Sequence, residues 1–293
     1  MYSHIDSNKR KSWLLIAAFC GVLGAAGYVY GYVNGSGYAG LAFALAVSLG
    51  MTGFSWFFGD KVVLFTTGAR QIKTREENPY IWNMVENLCI TSGQPMPKVY
   101  IVDDAAPNAF ATGTSPDKAS IAFTTGLIEL LENEELEGVA AHELSHVKNL
   151  DSRYMLLIAT MVGALTLMGD LFFRVGFGRN RDRGGHPAIL LIGIAFLILS
   201  PIIGELIKLA VSRSREYLAD ASGALLTRYP EGLARALEKI STHGQKMRLA
   251  SSATAHLWIA SPFGPASKFS GLFSTHPPAA ERIKRLRNMG EAR

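Results

Sequence analysis

The chain has 293 residues, of which 48% are hydrophobic, with a mean hydropathy of +0.17 and a formal net charge of +5 at pH 7. This hydrophobic content argues against an ordinary soluble enzyme and indicates membrane segments. The basic residues form no patch interleaved with aromatic residues, so the charge favours contact with anionic lipid over nucleic-acid binding.

Two uncharged stretches near the N-terminus, residues 13–33 and 38–58, are each long enough to cross a bilayer as a helix. We predict that residues 1–60 form a transmembrane hairpin with a tight loop. A cleaved signal peptide is the alternative for the first stretch, but the apolar run is too long and a second follows at once. Basic residues flank both outer ends, which predicts that both are cytoplasmic. They are Lys9, Arg10, Lys11, Lys61, Arg70, Lys73 and Arg75.

Residues 61–153 are predicted to form the first catalytic part, with a small sheet beside an active-site helix. Apolar spacing predicts a helix over residues 79–91. Short strands are predicted at 98–102, 109–112 and 120–123, before a helix that begins near Thr125. An exposed edge strand in this sheet could bind an extended peptide through its backbone.

His142, Glu143 and His146 form a His-Glu-x-x-His motif after an acidic helix start at residues 133–135. On a helix the two histidines lie four residues apart on one face and can hold one zinc ion. Glu143 can then act as general base for peptide hydrolysis. The alternative is a chance match on an ordinary solvated helix.

A second hydrophobic hairpin is predicted over residues 154–212, with arms at about 154–173 and 188–211. Because the chain must return to the side that it left, both arms cross the bilayer or neither does. Length favours crossing, although charges in the connecting loop favour a shallow or domain-packed hairpin. Glu205 and Lys208 also permit a transporter with an ionisable pair inside the membrane.

Residues 213–293 are predicted to form the second catalytic part. Glu216 and Asp220 lie four residues apart on one helix face, so Glu216 could be the third zinc ligand and Asp220 could accept a histidine ring N–H. The alternative is an exposed helix with ordinary charge pairs. A further helix is predicted at 231–242. The remaining histidines lack partner spacing and are expected to be solvated or locally hydrogen-bonded; they are His4, His186, His243 and His256.

These motifs, in this order, resemble the HtpX-like membrane zinc metallopeptidases, relatives of the CAAX prenyl protease. The resemblance is carried by the His142 motif followed by Asp151, by Glu216 with Asp220, and by a Ser-Thr-His-Pro-Pro run whose histidine, His276, precedes an arginine by six residues. It implies His142, His146 and Glu216 as ligands of one zinc ion and Glu143 as base. Asp151 and Asp220 would support the ligands.

The resemblance also implies that His276 and Arg282 lie near the oxyanion of the tetrahedral intermediate. Asn108, Ala109 and Phe110 look like the family's substrate-cleft edge strand, although the residues alone favour a turn role for Asn108 after Pro107.

The sequence therefore predicts a mainly helical α/β protein: an integral membrane zinc endopeptidase whose active site faces the cytoplasm. The resemblance implies that this membrane is a bacterial inner membrane. The resemblance implies membrane or misfolded proteins as substrates, in quality control. The main alternative is a catalytically silent membrane scaffold or chaperone that retains the zinc fold.

Overall fold

A computed structural model describes residues 2–33, 35–178, 213–249, 251, 253–264 and 277–291. The helices are α1 (Tyr2–Val33), α2 (Gly37–Thr66), α3 (Pro79–Ser92), α4 (Thr125–Leu130), α5 (Asn133–Lys148), α6 (Asp151–Gly178), α7 (Arg213–Thr227), α8 (Pro230–His243) and α9 (Ala279–Glu291). The strands are β1 (Ala69–Ile72), β2 (Lys98–Val102), β3 (Ala109–Thr112) and β4 (Ser120–Thr124).

Helices α1 and α2 form an antiparallel hairpin, and both are long and apolar enough to cross a membrane. Gly27 and Gly40 allow the two backbones to approach closely, because a Cβ on Gly27 would lie 2.6 Å from the Gly40 carbonyl oxygen. Both helices extend beyond the uncharged stretches: α1 begins well before Trp13 and α2 continues to Thr66. The hairpin of α1 and α2 therefore continues directly into the rest of the fold.

The four strands of the described residues form one mixed sheet in the order β1-β2-β4-β3. Strand β1 pairs with β2 and strand β3 pairs with β4, both antiparallel, while β2 and β4 run parallel to each other. The predicted bounds of β2 and β3 are confirmed, and β4 is one residue longer than predicted. The sequence prediction missed β1, a short strand without clear apolar alternation.

The sheet has a buried core on each face. Ile121 and Phe123 of β4 point to one core, which includes α3, α5 and α8, whereas Ala122 between them points to the other. That second core contains the end of α2, the start of α6 and the indole of Trp258. The sheet therefore lies between α5 on one face and the ends of α2 and α6 on the other.

Local capping interactions set the start of α5. The backbone N–H of Glu132 donates to the Glu135 carboxylate at 2.9 Å, one half of a capping box. This agrees with the predicted acidic helix start. The predicted helices at 79–91 and 231–242 are confirmed within one residue at each end by α3 and α8.

The predicted second hairpin falls only partly within the described residues. Its first arm corresponds to α6, whose first turns are buried against α1. Leu157 and Ile158 are among the buried residues in that contact. The second arm, about 188–211, lies outside the described residues. Full crossing of this hairpin therefore stays a prediction.

Candidate metal centre

The candidate centre lies where α5 crosses α7. Gly223 allows this close approach, because a Cβ there would lie 3.0 Å from the backbone nitrogen of His142. Glu216 and Asp220 share the face of α7 that carries Gly223 and are buried with it. The crossing thus brings the carboxylates of α7 to the imidazoles of α5.

Three ligand atoms converge at this crossing. The Nε2 atoms of His142 and His146 are 3.2 Å apart. The Glu216 carboxylate oxygens lie 3.8 Å from the first of these nitrogens and 3.6 Å from the second. Zinc with ligand bonds of about 2.0–2.1 Å in a tetrahedron would hold such atoms about 3.3 Å apart. The spacing and the His-His-Glu donor set therefore fit a zinc ion.

A carboxylate supports each histidine at the opposite ring nitrogen. Asp220 Oδ1 lies 3.0 Å from Nδ1 of His142, and Asp151 Oδ2 lies 3.1 Å from Nδ1 of His146. A carboxylate accepts, so each Nδ1 carries the proton in the neutral ring. Both Nε2 lone pairs then face the same point beside a carboxylate, an arrangement that favours a cation between them.

Burial and the neighbouring charges shift the pKa values of the two histidines in opposite directions. Burial lowers the pKa of His142 to about 4. Burial acts in the same direction on His146, but the carboxylates of Asp151 and Glu216 outweigh it and raise its pKa to about 9. Without metal, a proton on His146 therefore balances the acidic groups. A metal ion would replace that proton, since a ligating imidazole must be neutral.

Glu143 lies on the same helix and is fully buried at the centre, with 2% of its surface exposed. Burial raises the pKa of its carboxyl to about 7, and the backbone N–H of Ala111 on β3 donates to it. A carboxylate with a pKa near neutrality can both accept and return a proton during turnover. Its position beside the histidines suits the predicted role of base.

Arg282 of α9 makes contacts that the sequence did not predict, while its place near the oxyanion stays a prediction. Its Nε and Nη2 donate to the two Asp220 oxygens at 2.9 and 2.6 Å, a two-point grip on the carboxylate that supports His142. Its Nη1 is also 3.5 Å from Glu216. Arg282 and the His142 ring thus hold Asp220 from two sides, and they lower its pKa although burial opposes this. His276, the other predicted oxyanion group, lies outside the described residues.

Arg282→Lys is expected to weaken zinc binding about tenfold, because lysine keeps the charge but loses the planar fork that orients Asp220. Competition with a chromogenic chelator measures the affinity. Arg287→Lys is the matched control, since Arg287 also lies on α9 and pairs with carboxylates, Glu231 and Glu238, away from the centre. Unchanged zinc affinity with reduced turnover would instead support contact with the oxyanion.

The predicted exposed edge strand is only partly correct. Strand β3 is at the edge of the sheet, yet all four of its residues are buried. The Asn108 side chain pairs with the backbone of Ala260, donating to its oxygen at 2.9 Å and accepting from its nitrogen at 3.1 Å. Ile259 N–H donates to the Ala109 oxygen, and Phe110 packs against Trp258. The segment at 258–260 thus covers the start of β3. The sequence alone could not reveal this contact, because the two segments are far apart along the chain.

Sequence reasoning also missed residues around the centre. Asn8 of α1 and Arg215 of α7 are buried beside Asp151. The alternative of an exposed α7 is wrong, because Arg215, Glu216 and Asp220 are all buried. The expectation for His256 is also wrong: it is buried, and its Nε2 lies 2.9 Å from the distant backbone oxygen of Met155. No sequence spacing links these pairs.

Comparison with known proteins gives a consistent result. The model of peptidase family M48 matches residues 75–290. A protease HtpX homolog of Tropheryma whipplei is 46% identical over 99% of both chains. Homologs of the same name from Dictyoglomus turgidum and Listeria monocytogenes are 43% and 39% identical, over 99% of this chain and 95% and 100% of theirs.

Among solved structures, Ste24p of S. mikatae has a similar fold. The TM-score is 0.54 at 18% sequence identity, and the match covers 98% of this chain and 67% of that one. At this identity the likeness concerns the fold alone.

Proposed function

The chain belongs to peptidase family M48, and from that premise we propose that it hydrolyses protein substrates with one zinc ion at the cytoplasmic surface of a bacterial inner membrane. The membership and the HtpX relatives make it a membrane metalloprotease. The identity of the metal, the residue roles, the orientation and the substrates are our proposal. One observation carries it: three buried donor atoms of His142, His146 and Glu216 converge with carboxylates behind both imidazoles.

A zinc ion held by these residues would supply Lewis acidity to a scissile carbonyl and lower the pKa of water. His142 and His146 would keep their Nε2 lone pairs directed inward because Asp220 and Asp151 hold the opposite ring nitrogens. Glu143 would take the proton of the attacking water and return it to the leaving amine. His276 and Arg282 are proposed to stabilise the oxyanion, with Arg282 also holding Asp220.

Substrate would reach the centre along β3. Ala109 and Ala111 point their backbone groups away from β4, because Asn108 pairs with Thr124 on the side facing β4. Ile259 already occupies the Ala109 oxygen, whereas the Ala111 N–H faces Glu143. Since the Ala111 N–H already donates to Glu143, an extended peptide would approach the carbonyl oxygen of Ala111, and contact with Asn108 or Ala109 would require movement of the 258–260 segment.

The distribution of aromatic residues supports the membrane position of the first hairpin. Trp13 stacks on Trp56 at one end, and Tyr28 contacts Tyr32 and Tyr38 at the other. Trp13 and Tyr32 are 19 residues apart, which corresponds to about 28 Å along a helix. That distance matches the hydrocarbon thickness of a bilayer, about 30 Å, and aromatic residues favour both of its interfaces.

The exposed basic residues and the catalytic centre lie at the same end of this hairpin. Lys9 and Arg10 are exposed on the turns of α1 just before Trp13, and Asn8 touches Asp151. The positive-inside rule then favours a cytoplasmic active site close to the bilayer. Such a site suits the tails and loops of membrane proteins, including misfolded ones.

The decisive experiment measures zinc content and casein hydrolysis on the same purified protein. We expect about one zinc per chain, loss of casein cleavage on chelation, and recovery when zinc is restored. Stoichiometric zinc without cleavage of casein or of an unfolded membrane protein would favour the silent scaffold. Absence of bound metal after purification and reconstitution would contradict the proposal.

Orientation can be tested by cysteine labelling in intact cells, after replacing Cys20 and Cys89, which are unpaired. Ser36→Cys, in the exposed α1–α2 loop, is expected to react with a membrane-impermeant thiol reagent. Thr91→Cys, exposed on α3, should react only after the membrane is permeabilised. The reverse pattern would place the active site outside the cytoplasm.

A further inference from the structure

The first membrane helix reaches the candidate metal centre through Asn8. The Asn8 amide nitrogen donates to Asp151 Oδ1 at 2.7 Å and to the backbone oxygen of Asn149 at 2.9 Å. Both partners can only accept a hydrogen bond, so the amide atom that faces them must be the nitrogen, which carries the hydrogens. Asn8 is 3% exposed, so water does not compete for these hydrogen bonds.

These contacts orient the carboxylate that supports His146. Asp151 accepts from Asn8 at one oxygen, while its other oxygen lies 3.1 Å from the His146 ring nitrogen. Arg215 adds positive charge beside the oxygen that Asn8 binds, because its Nε lies 3.8 Å from Asp151 Oδ1. A carboxylate held at both oxygens has one orientation, and that orientation sets the direction of the His146 ring.

Asn8 also bridges the turn between α5 and α6. Leu150, in the middle of this turn, has a φ of 58°, a left-handed conformation that a leucine adopts only under constraint from its surroundings. The two hydrogen bonds of Asn8 join the residues immediately before and after it. The amide thereby helps to hold the turn that brings Asp151 back toward His146.

We propose that Asn8 is a positioning residue for the metal centre, so that docking of α1 on the catalytic part sets metal affinity and turnover. The inference rests on the proposed function. Asn8 precedes Trp13 by five residues, about 7.5 Å along α1, so it lies in the turns that leave the bilayer. The position of the first membrane helix is thereby linked to the geometry of His146.

Asn8→Leu tests the role, because leucine has nearly the same shape and lacks the amide donor. We expect zinc affinity to fall about tenfold, the lower end of the effect of removing a group that supports a metal ligand. The turnover number should fall with it, whereas KM for casein should change less than about twofold. Zinc affinity is measured by chelator competition on the full-length protein in detergent.

Ser12→Ala is the matched control. Ser12 is buried one turn further along α1, and its hydroxyl donates to the Asn8 backbone oxygen at 2.9 Å. This control should keep native zinc affinity and turnover. A tenfold effect confined to Asn8→Leu would support the positioning role.

Native zinc affinity and turnover in both Asn8→Leu and Asn8→Ala would overturn the inference and leave the proposed function intact. If both variants fail to fold while Ser12→Ala folds, Asn8 serves the fold and the positioning role is overturned. Failure of the native protein itself to bind zinc would instead overturn the proposed function.

Discussion

Glu143→Ala is expected to abolish nearly all hydrolysis while the protein keeps its zinc. The substitution removes the base but none of the three converging donor atoms, and a general base contributes about 10²- to 10⁴-fold to the rate. Casein turnover per zinc-loaded molecule measures the effect. Glu134→Ala, on the exposed face of the same helix, is the control and should retain full activity.

The pH dependence of turnover checks the same role. Burial raises the pKa of Glu143 to about 7 in the metal-free site, and a base works only when ionised, so turnover should fall at acidic pH as this carboxylate becomes protonated. A bound cation favours the carboxylate and moves this limb to a lower pH. The residual activity of Glu143→Gln should lack the limb. Near-native turnover in Glu143→Ala would exclude the proposed mechanism.

Glu216→Ala is expected to lose both the metal and the activity. The substitution removes one of three protein ligands. Loss of a hydrogen bond that supports a ligand lowers metal affinity about 10- to 100-fold, and we expect a larger fall here. The fold should persist, because Arg282 keeps its two hydrogen bonds to Asp220. Metal content after gel filtration and chelator competition give the result.

Glu135→Ala is the matched control for Glu216→Ala. Glu135 is also a buried glutamate, 1% exposed, but it pairs with Lys239 and caps α5 away from the centre. Its loss should cost about 1 kcal/mol of stability and leave zinc bound. Stoichiometric zinc in Glu216→Ala would show that another residue supplies the third ligand.

Regular periodic or local patterns explain what the sequence alone could predict. The His142–His146 spacing indicates a shared helix face whatever surrounds it, and acidic residues in the first turn mark the start of α5. Uncharged stretches of bilayer length likewise predict the hairpin of α1 and α2. Strands β2 and β3 were predicted within their observed bounds.

Contacts between distant segments required the tertiary structure. The Asn8–Asp151 contact joins residues 143 positions apart, and the Asn108–Ala260 contact joins residues 152 apart. Neither has a spacing that a helix or strand would impose. The role of Arg282 likewise depends on which carboxylate α9 meets when it packs.

The sequence by itself determined which side chains can serve as metal ligands, the helix that carries the two histidines and the apolar hairpin, because these follow from residue chemistry and local periodicity. Only the tertiary structure decided which carboxylate holds each imidazole, how the start of β3 is covered and where α1 meets the centre. These features arise from the close packing of helices and sheet, which brings remote polar groups into one buried volume where each needs a partner.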